Sequence, residues 1–498
     1  MPRVAIIGSG FSGLSAAAYL SAAGHEVQVY EKNDTFGGRA RQLKTKNGYV
    51  FDMGPSWYWM PDVFERFFND FGHTVSDFYQ LKLLNPSFDV VFANQQVMSV
   101  PENFLELCQL FESIEKGSAV QLERYMKEAK YKYEKGMQDL VYMPGLSLTE
   151  FVNGDLFKGV LRLQVFSFFS RHVRKYFSHP KLIALMEFPV LFLGAMPEDT
   201  PALYSLMNYA GLKLGTWYPK GGFGKVSESI QQLAEANGAQ FHYNAAVEKI
   251  IIKNRIAKGI VVNGAEIDFD VIVAAADYHH VESKLLPAAC RNYEESYWQK
   301  KTFAPSCLIY YIGIKRKIRS LQHHTLFFEE NFSQHSKEIY EDPQWPTKPL
   351  FYVCCPSCSD ETVAPPGHEN LFFLMPVAPG LEDDESIREK YFTIMMNRFQ
   401  KHIGEEILND IDFKQSYCVN DFVTDYNSYK GNAYGLANTL MQTAILKPKV
   451  KNRKVDNLFY AGQLTVPGPG VPPSLISGKI AAGQVMKYFK PRKHEVVV

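Results

Sequence analysis

Three glycines and one carboxylate near the start of the chain have the spacing of a phosphate-binding device. In "RVAIIGSGFSGLSAAAYLSAAGHEVQVYEKN", Gly8, Gly10 and Gly13 make G-x-G-x-x-G. Such a loop holds a pyrophosphate against main-chain amides. Gly8 makes the tight turn, Gly10 lets the pyrophosphate approach the backbone, and Gly13 lets a helix pack on its sheet. Phe11 and Ser12 begin that helix, whose free amides and partial positive charge face the phosphates. Glu31, followed by Lys32, stands where a carboxylate meets ribose hydroxyls. Its charge would repel a 2′-phosphate, which argues against NADP at this site.

These residues need a strand, a turn, a helix and a second strand to hold them. The apolar run 4–7 reads as the first strand, alanine-rich 14–23 as the helix body ending at Gly24, and 26–30 as the second strand ending at Glu31. Gly37, Gly38 and Arg39 come next, then a hairpin pattern in "RQLKTKNGYVFDMG" with Asn47 and Gly48 as its turn. Gly54, Pro55 and Ser56 follow. This run resembles the extended fingerprint of the flavin-containing amine oxidase superfamily, in which a Gly-Gly-Arg segment wraps FAD. The resemblance implies non-covalent FAD, with Gly38 and Arg39 beside the pyrophosphate and Gly54, Pro55 and Ser56 in the same site. No second G-x-G-x-x-G with its own strand and acid follows, since "KGGFGK" at 220–225 lacks a preceding apolar strand. Electrons are therefore expected to enter from an organic substrate and leave to oxygen or a quinone.

The 498 residues suit two to four domains with a core that needs no staples. Lys+Arg and Asp+Glu balance at 53 each, which excludes a nucleic-acid partner recognised by basic charge. Aromatics reach 14%, with 36 Phe and 28 Tyr, and point to a site for a large apolar ligand as well as a large core. The seven cysteines have no regular framework and favour a reducing compartment. Cys354, Cys355 and Cys358 contain C-x-x-C without a second pair or a nearby histidine to complete a zinc set, so they read as reduced thiols and no metal is expected. The N-terminal apolar run fits the nucleotide loop better than a cleaved signal. Nowhere do 18 clean apolar residues run together, so no transmembrane helix is expected.

Residues 101–135 are charged and periodic and read as amphipathic helices. Residues 155–177 are apolar with a basic end, and read as a buried helix in preference to one dipping into a membrane surface. A turn at 196–201, a helix over 202–211, a strand ending near Tyr218 and a glycine loop feeding a helix follow. The stretch after it is β-rich, with turns at Asn254-Arg255 and Asn263-Gly264 and with Val247 near the adenine end of the site. Residues 285–450 carry the strands "CLIYYIGIK", "PLFYVCCP" and "NLFFLMPVA" and the helix "ESIREKYFTIMMNRFQKHI". The fold class expected is α/β. A discontinuous Rossmann-like FAD-binding domain (1–75, 219–284 and 452–498) carries a mixed sheet-and-helix substrate part (76–218 and 285–451).

Several separated segments together resemble the bacterial-type carotenoid (phytoene) desaturases. They are "AIIGSGFSGLSAAAYLSAAG", "EKNDTFGGRA", "GTWYPKGGFGKV", "DYNSYKGNAYGLANTLMQTAILKPKVKN" and "NLFYAGQLTVPGPGVPPSLISGKIAAG". The resemblance implies a cytoplasmic enzyme at a membrane surface that desaturates a hydrophobic carotenoid by hydride transfer to flavin N5. Two departures stand out. Related amine oxidases carry an acid where this chain has Gln463, and Trp57, Tyr58 and Trp59 stand where many phytoene desaturases have small or β-branched residues after Gly-Pro. The aromatics leave open a later carotenoid, hydroxylated or monocyclic, and thus a hydroxycarotenoid 3,4-desaturase. A cis-trans isomerase using reduced FAD is the other reading.

A polyene spreads positive charge over many carbons, so its adjacent proton is acidic enough for a weak base. No strong acid–base set is required, and none is visible. The polar candidates are Asp199 and Arg171, with Glu198 and Arg174 beside them, all equally readable as caps or surface charges. The closing stretch is more specific. "NLFY" reads as the last strand of the parallel sheet, and Gly462 and Gln463 as its ligand-facing end. The prolines after it restrict φ and hold the loop. Gly470, Val471 and Pro472 then open a helix whose positive end faces the flavin ring. Its small residues, Ser477, Gly478 and Ala481 among them, are expected to press it on the sheet.

Overall fold

The computed structural model describes residues 1–146, 163–164 and 167–490. A five-stranded parallel sheet forms the nucleotide end, in the order Leu458–Tyr460, Val271–Ala274, Arg3–Ile7, Glu26–Tyr30, Gln240–His242. Its strands are buried on both faces, which is why they read as continuous apolar runs. On one face Val4, Ile6, Val27, Val29, Val271 and Val273 join a core with the helices Phe11–Ala22, Phe223–Ala236 and Val471–Phe489. On the other, Ala5, Ile7, Ile272 and Ala274 meet a three-stranded antiparallel meander, Val247–Lys253, Ile256–Val262 and Ala265–Asp268. Its two turns fall at the expected pairs. All four residues have positive φ, 52° and 63° at Asn254 and Arg255, 50° and 75° at Asn263 and Gly264, as a hairpin turn of matching twist requires.

The closing helix lies against the first helix, not against the sheet alone. A Cβ on Gly478 would stand 2.4 Å from Ser12 O and 2.6 Å from Ser15 Cβ, and Ser15 Oγ donates to Leu475 O at 2.7 Å. The small-residue stripe lets two helices from opposite ends of the chain approach closely. Ser477 has a separate task, its hydroxyl accepting from Gly462 N at 3.0 Å.

The second large unit is a seven-stranded mixed sheet. Its order is Ile411–Tyr417, Ser306–Ile314, Glu369–Val377, Phe351–Cys354, His324–Phe328, Phe88–Phe92, Gln96–Val100. The pairing is antiparallel except between His324–Phe328 and Phe88–Phe92. The period of two divides the faces. Leu308, Tyr310, Ile312, Phe327 and Phe373 pack under the helix Glu385–Ile403, while Cys307, Ile309, Leu326, Phe328 and Leu374 point the other way.

Helices Phe104–Ile114 and Ser118–Lys135 occupy the periodic stretch 101–135. Of the apolar stretch 155–177, residues 155–162, 165 and 166 lie outside the described residues, and the remainder holds the short helix Phe169–Val173. The glycines at 221, 222 and 224 serve a helix start. Asp52 accepts from Phe223 N (2.8 Å) and Gly224 N (3.2 Å), and a Cβ on Gly224 would overlap Gln42 at 2.2 Å. Burial pushes the Asp52 carboxyl up to about 6. Among the described residues no helix is long and apolar enough to cross a membrane.

Candidate active site

A cavity of about 400 Å³ begins at the carboxyl ends of the parallel strands and runs along the inner face of the seven-stranded sheet. Gly8, Gly10, Phe11, Ser12, Glu31, Lys32, Gly38, Arg39, Gly54, Pro55, Ser56, Val247, Gly462, Gln463, Gly470, Val471 and Pro472 all border it. Gly13 does not. It lies behind the loop, where a Cβ would overlap Gly8 O at 2.0 Å, so only glycine lets the helix start pass under the turn. Asp199 and Arg171 stand outside the lining and are exposed, because each sits on a polar turn or helix face turned to solvent. Arg174 is ion-paired to Glu187.

At the dinucleotide end the ligand-facing surface is mostly main chain. Gly8 has φ of 98°. Gly38 approaches so closely that a Cβ there would lie 3.0 Å from Gly10 Cα, and Gly37 N donates to Ser9 O at 2.9 Å. The helix Phe11–Ala22 starts at Gly10, which offers no side-chain cap, so its first amides are left for a ligand. Glu31 does more than the spacing shows. Its Oε2 accepts from Ser9 N and Ser9 Oγ, both at 2.9 Å, and its Oε1 accepts from Asn33 N (2.9 Å) and Nδ2 (3.0 Å). The carboxylate therefore fastens the glycine loop to the second strand, and Ser9 is the partner that motif reading passes over.

Arg39 is held from the far side of the chain. Its Nη2 donates to Ser428 Oγ (3.2 Å) and Asn432 O (3.3 Å), and the guanidinium lies 4.9 Å from the centre of the Tyr426 ring. Gln463 joins it: with its amide oxygen toward Arg39, it accepts from Nη2 at 3.1 Å and from Gly435 N at 3.2 Å, while its nitrogen donates to Ala433 O at 3.3 Å. The amide thus takes the place of a carboxylate without adding a charge. Arg39 Nε is buried and unpartnered among the described residues. Asp277, a lining residue, caps the helix Tyr278–His280 through Oδ1 (3.1 Å from His280 N), and its Oδ2 has no hydrogen-bond partner among the described residues. Burial raises its pKa and the Arg39 charge pulls it back. It follows the strand Val271–Ala274 by three residues, and nothing in its local spacing marks it as polar lining.

The closing segment supplies a second helix end. Gly462 and Gly470 have φ of 120° and 111°. Pro472 and Pro473 have no N–H, and Ser474 N bonds back to Gly470 O at 3.0 Å, which leaves the amides of Gly470 and Val471 as that end's donors. Two uncapped helix ends, a glycine cradle and an unspent arginine N–H supply the donors, and a carboxylate the acceptor, that a flavin dinucleotide needs. The residues fit the group.

The rest of the cavity is apolar and aromatic. Trp57 and Trp59 line it, whereas Tyr58 turns into the core, stacked on Phe64 at 4.3 Å and bonded to Tyr79 at 2.8 Å. Trp57 stacks on His324 with centres 4.1 Å apart. His324 Nδ1 meets the Tyr352 hydroxyl at 2.6 Å, and that hydroxyl meets Ser56 Oγ at 2.9 Å. Burial holds the His324 ring neutral and drives the Cys307 thiol up to about 12. Among the described residues, this half of the cavity is lined by no ready anion or cation at neutral pH.

Residues 11–486 match the flavin-containing amine oxidoreductase family. A carotenoid 3,4-desaturase from Haloarcula japonica is 40% identical over 480 residues, covering 96% of this chain and 97% of its own. A 4,4'-diapophytoene desaturase (4,4'-diaponeurosporene-forming) from Staphylococcus haemolyticus is 31% identical over 497 residues, 97% of this chain and 98% of its own. Among solved structures, cyclohexylamine oxidase from Brevibacterium oxydans shares the fold, with a TM-score of 0.58 at 14% identity over 98% of this chain and 99% of its own. The chain belongs to the flavin-containing amine oxidoreductase family and, within it, to the carotenoid desaturases. It is an oxidoreductase and its cofactor is FAD.

Proposed function

We propose that this chain introduces a carbon–carbon double bond into a long polyene, near one end of the molecule, in carotenoid biosynthesis. The observation that carries the reading is the continuity of one cavity from the glycine cradle to the aromatic wall. FAD, when bound, supplies the two-electron acceptor for hydride at N5. The chain's own residues do the rest. Gly10, Gly38, Arg39 and the amides of Gly470 and Val471 would hold the cofactor. Trp57, Trp59, Phe328 and Leu374 would align a –CH2–CH2– unit and exclude water. Among the described residues, none that lines the apolar half is poised as a strong base, which suits a proton made acidic by an adjacent conjugated cation. The relative named for the 3,4 position is the more similar of the two, and low locants favour a bond near the chain end.

Three further parts belong to the same reading. The parallel sheet and its meander, drawn from 1–75, 219–284 and 452–498, form the cofactor-binding unit, with 76–218 and 285–451 as the substrate unit. The enzyme works on the cytoplasmic face of a membrane that stores its substrate. Exposed Leu146, Met441 and Leu446 support this, with Gly145, beside Leu146, packed near Ile445 and Val466. Oxygen or a quinone takes the electrons.

The test is anaerobic. Purified protein is given acyclic carotenes in detergent micelles, flavin absorbance is followed, and products are weighed. Desaturation bleaches bound flavin and removes about 2 mass units per step. A product of unchanged mass would establish the isomerase, and unbleached flavin with every polyene would end the desaturase reading.

A further inference from the structure

We propose that His323, His324 and Cys354 form a zinc site behind the aromatic wall of the cavity. The site stands apart from the cofactor cradle and does not depend on which polyene is converted.

The three residues come together from two paired segments. His324 begins the strand His324–Phe328 and lies opposite Cys354, the last residue of Phe351–Cys354, in antiparallel register. Residues directly opposite share a face of the sheet. His323 precedes its strand, so its ring need not follow the strand's alternation, and Cys355 N fixes its backbone by donating to His323 O at 2.8 Å. One ligand atom from each of the three residues, an imidazole nitrogen or the thiol sulfur, lies within 4.8 Å of the other two. A tetrahedral zinc ion holds two imidazole nitrogens and a thiolate about 3.3–3.6 Å apart. Closing the site therefore asks for side-chain shifts of about 1 Å.

The ligand atoms are unspent. His323 is 5% exposed, and neither of its ring nitrogens has a hydrogen-bond partner among the described residues. Other rings grip it instead, Tyr218 with centres 4.7 Å apart and His324 with centres 4.5 Å apart. Nε2 of buried His324 is likewise without a partner among the described residues. Leaving such atoms unsatisfied costs stability, which a bound cation offsets. His323, Cys354, Asp52 and Tyr218 border a second cavity of about 10 Å³, the size of a single ion or water. Imidazole and thiolate together suit zinc. On binding, the Cys354 S–H bond breaks, a zinc–sulfur bond forms and the proton leaves to solvent. The ion with one thiolate keeps one positive charge, and the Asp52 carboxylate stands beside it.

His324 also has the outer partner that a metal-bound imidazole needs. Its Nδ1 meets the Tyr352 hydroxyl at 2.6 Å, and that hydroxyl meets Ser56 Oγ at 2.9 Å. With Nε2 on zinc, Nδ1 carries the proton and donates to Tyr352. Trp57 stacks on the same ring, so the ion would stiffen the cavity wall from behind. A second trio, Cys355, Cys358 and Glu369, is also within 4.8 Å. Its carboxylate is already engaged by Lys317 Nζ at 3.2 Å and by Ser357 Oγ, and Cys358 is exposed. The expectation of no metal rests on cysteine spacing, which has no access to histidines on a paired strand.

The experiment uses the full-length FAD-loaded enzyme, stripped with a chelator and reloaded with zinc. Elemental analysis after gel filtration should find zinc stoichiometric with flavin. X-ray absorption at the zinc edge, which flavin does not obscure, should show imidazole nitrogens at about 2.0–2.1 Å and one sulfur at about 2.3 Å. His323→Gln and Cys354→Ser should each weaken zinc retention against a competing chelator by at least about tenfold, with flavin content unchanged. Cys354→Ser should also remove the sulfur neighbour, and Cys358→Ser should leave zinc in place. Substoichiometric zinc in wild type, or a shell without sulfur, would overturn the site and would mean that the small cavity holds water. Retention that survives both ligand variants would overturn it too. So would retention lost with Cys358→Ser alone, which assigns the ion to the exposed pair. Should Cys354→Ser fail to fold, His323→Gln and the wild-type absorption spectrum decide.

Discussion

At the dinucleotide end of the cavity, specificity is written in what side chains are missing; at the polyene end it is written in what they fill. Gly8, Gly10, Gly13 and Gly38 let backbone meet backbone, and a single added carbon at Gly13 or Gly38 would lie 2.0 or 3.0 Å from a neighbouring main-chain atom. The opposite wall takes Ile309, Leu326, Tyr352 and Leu374 from four strands of the seven-stranded sheet. Each contributes volume that a neighbour of similar size could supply. A main-chain cradle is unforgiving because peptide groups cannot repack, whereas apolar walls tolerate volume-conserving change. The difference predicts how the two ends respond to substitution.

The largest effect belongs to Gly13→Val. The valine Cβ must displace Gly8 O, which opens the turn that Glu31 and Ser9 fasten. Protein desalted after expression should carry no flavin absorbance and should melt earlier than wild type. Normal flavin content in this variant would show that the cradle can repack, and the contrast between the two ends would collapse.

Next in size is an effect of buried charge just behind the closing loop. Lys447 is 2% exposed, and its ammonium has no hydrogen-bond partner among the described residues. A Cβ on Gly468 would lie 3.2 Å from its Nζ. Burial lowers its pKa from 10.5 to about 7. Because the folded value is the lower one, the unfolded chain holds a proton that the native chain lacks between pH 7 and about 10. Stability should rise with pH across that window, by up to about 1.4 kcal/mol per pH unit, and this contribution is lost as pH falls through 7. Lys447→Met should flatten the slope and raise the midpoint of urea unfolding at pH 7. An unchanged slope would mean that the amine finds a partner in solution.

The same contrast decides what could be read from the chain. The first strand, first helix and second strand are contiguous and carry a motif whose every position has a steric reason, so Arg3–Ile7, Phe11–Ala22 and Glu26–Tyr30 were legible. The closing strand Leu458–Tyr460 and its helix were legible because prolines and glycines mark rigid turns. The wall was legible only in part. Ser306–Ile314, Phe351–Cys354 and Glu369–Val377 are long apolar runs, but the parallel partners Phe88–Phe92 and His324–Phe328 are joined across nearly half the chain, and local patterning has no access to such pairing. Ser9 on Glu31, Asp277 beside Arg39 and Tyr340 in the wall are likewise products of tertiary approach. Glycine alone misleads as readily as it informs. The run at 221–224 resembles a phosphate loop in composition, yet Asp52 occupies its amides.

The smallest effect expected is therefore the most direct check on the wall. Leu374 sits on Glu369–Val377 with its side chain toward the cavity. Methionine has nearly the same volume and adapts to irregular gaps, so Leu374→Met should cost less than about 1.5 kcal/mol in urea unfolding and leave flavin content unchanged. Its effect should appear in the substrate. A longer, more flexible side chain loosens the alignment of the –CH2–CH2– unit, so turnover should fall while FAD retention does not. Were flavin lost along with turnover, the two ends of the cavity would be one cooperative unit, and the division between a main-chain cradle and a side-chain wall would have no energetic meaning.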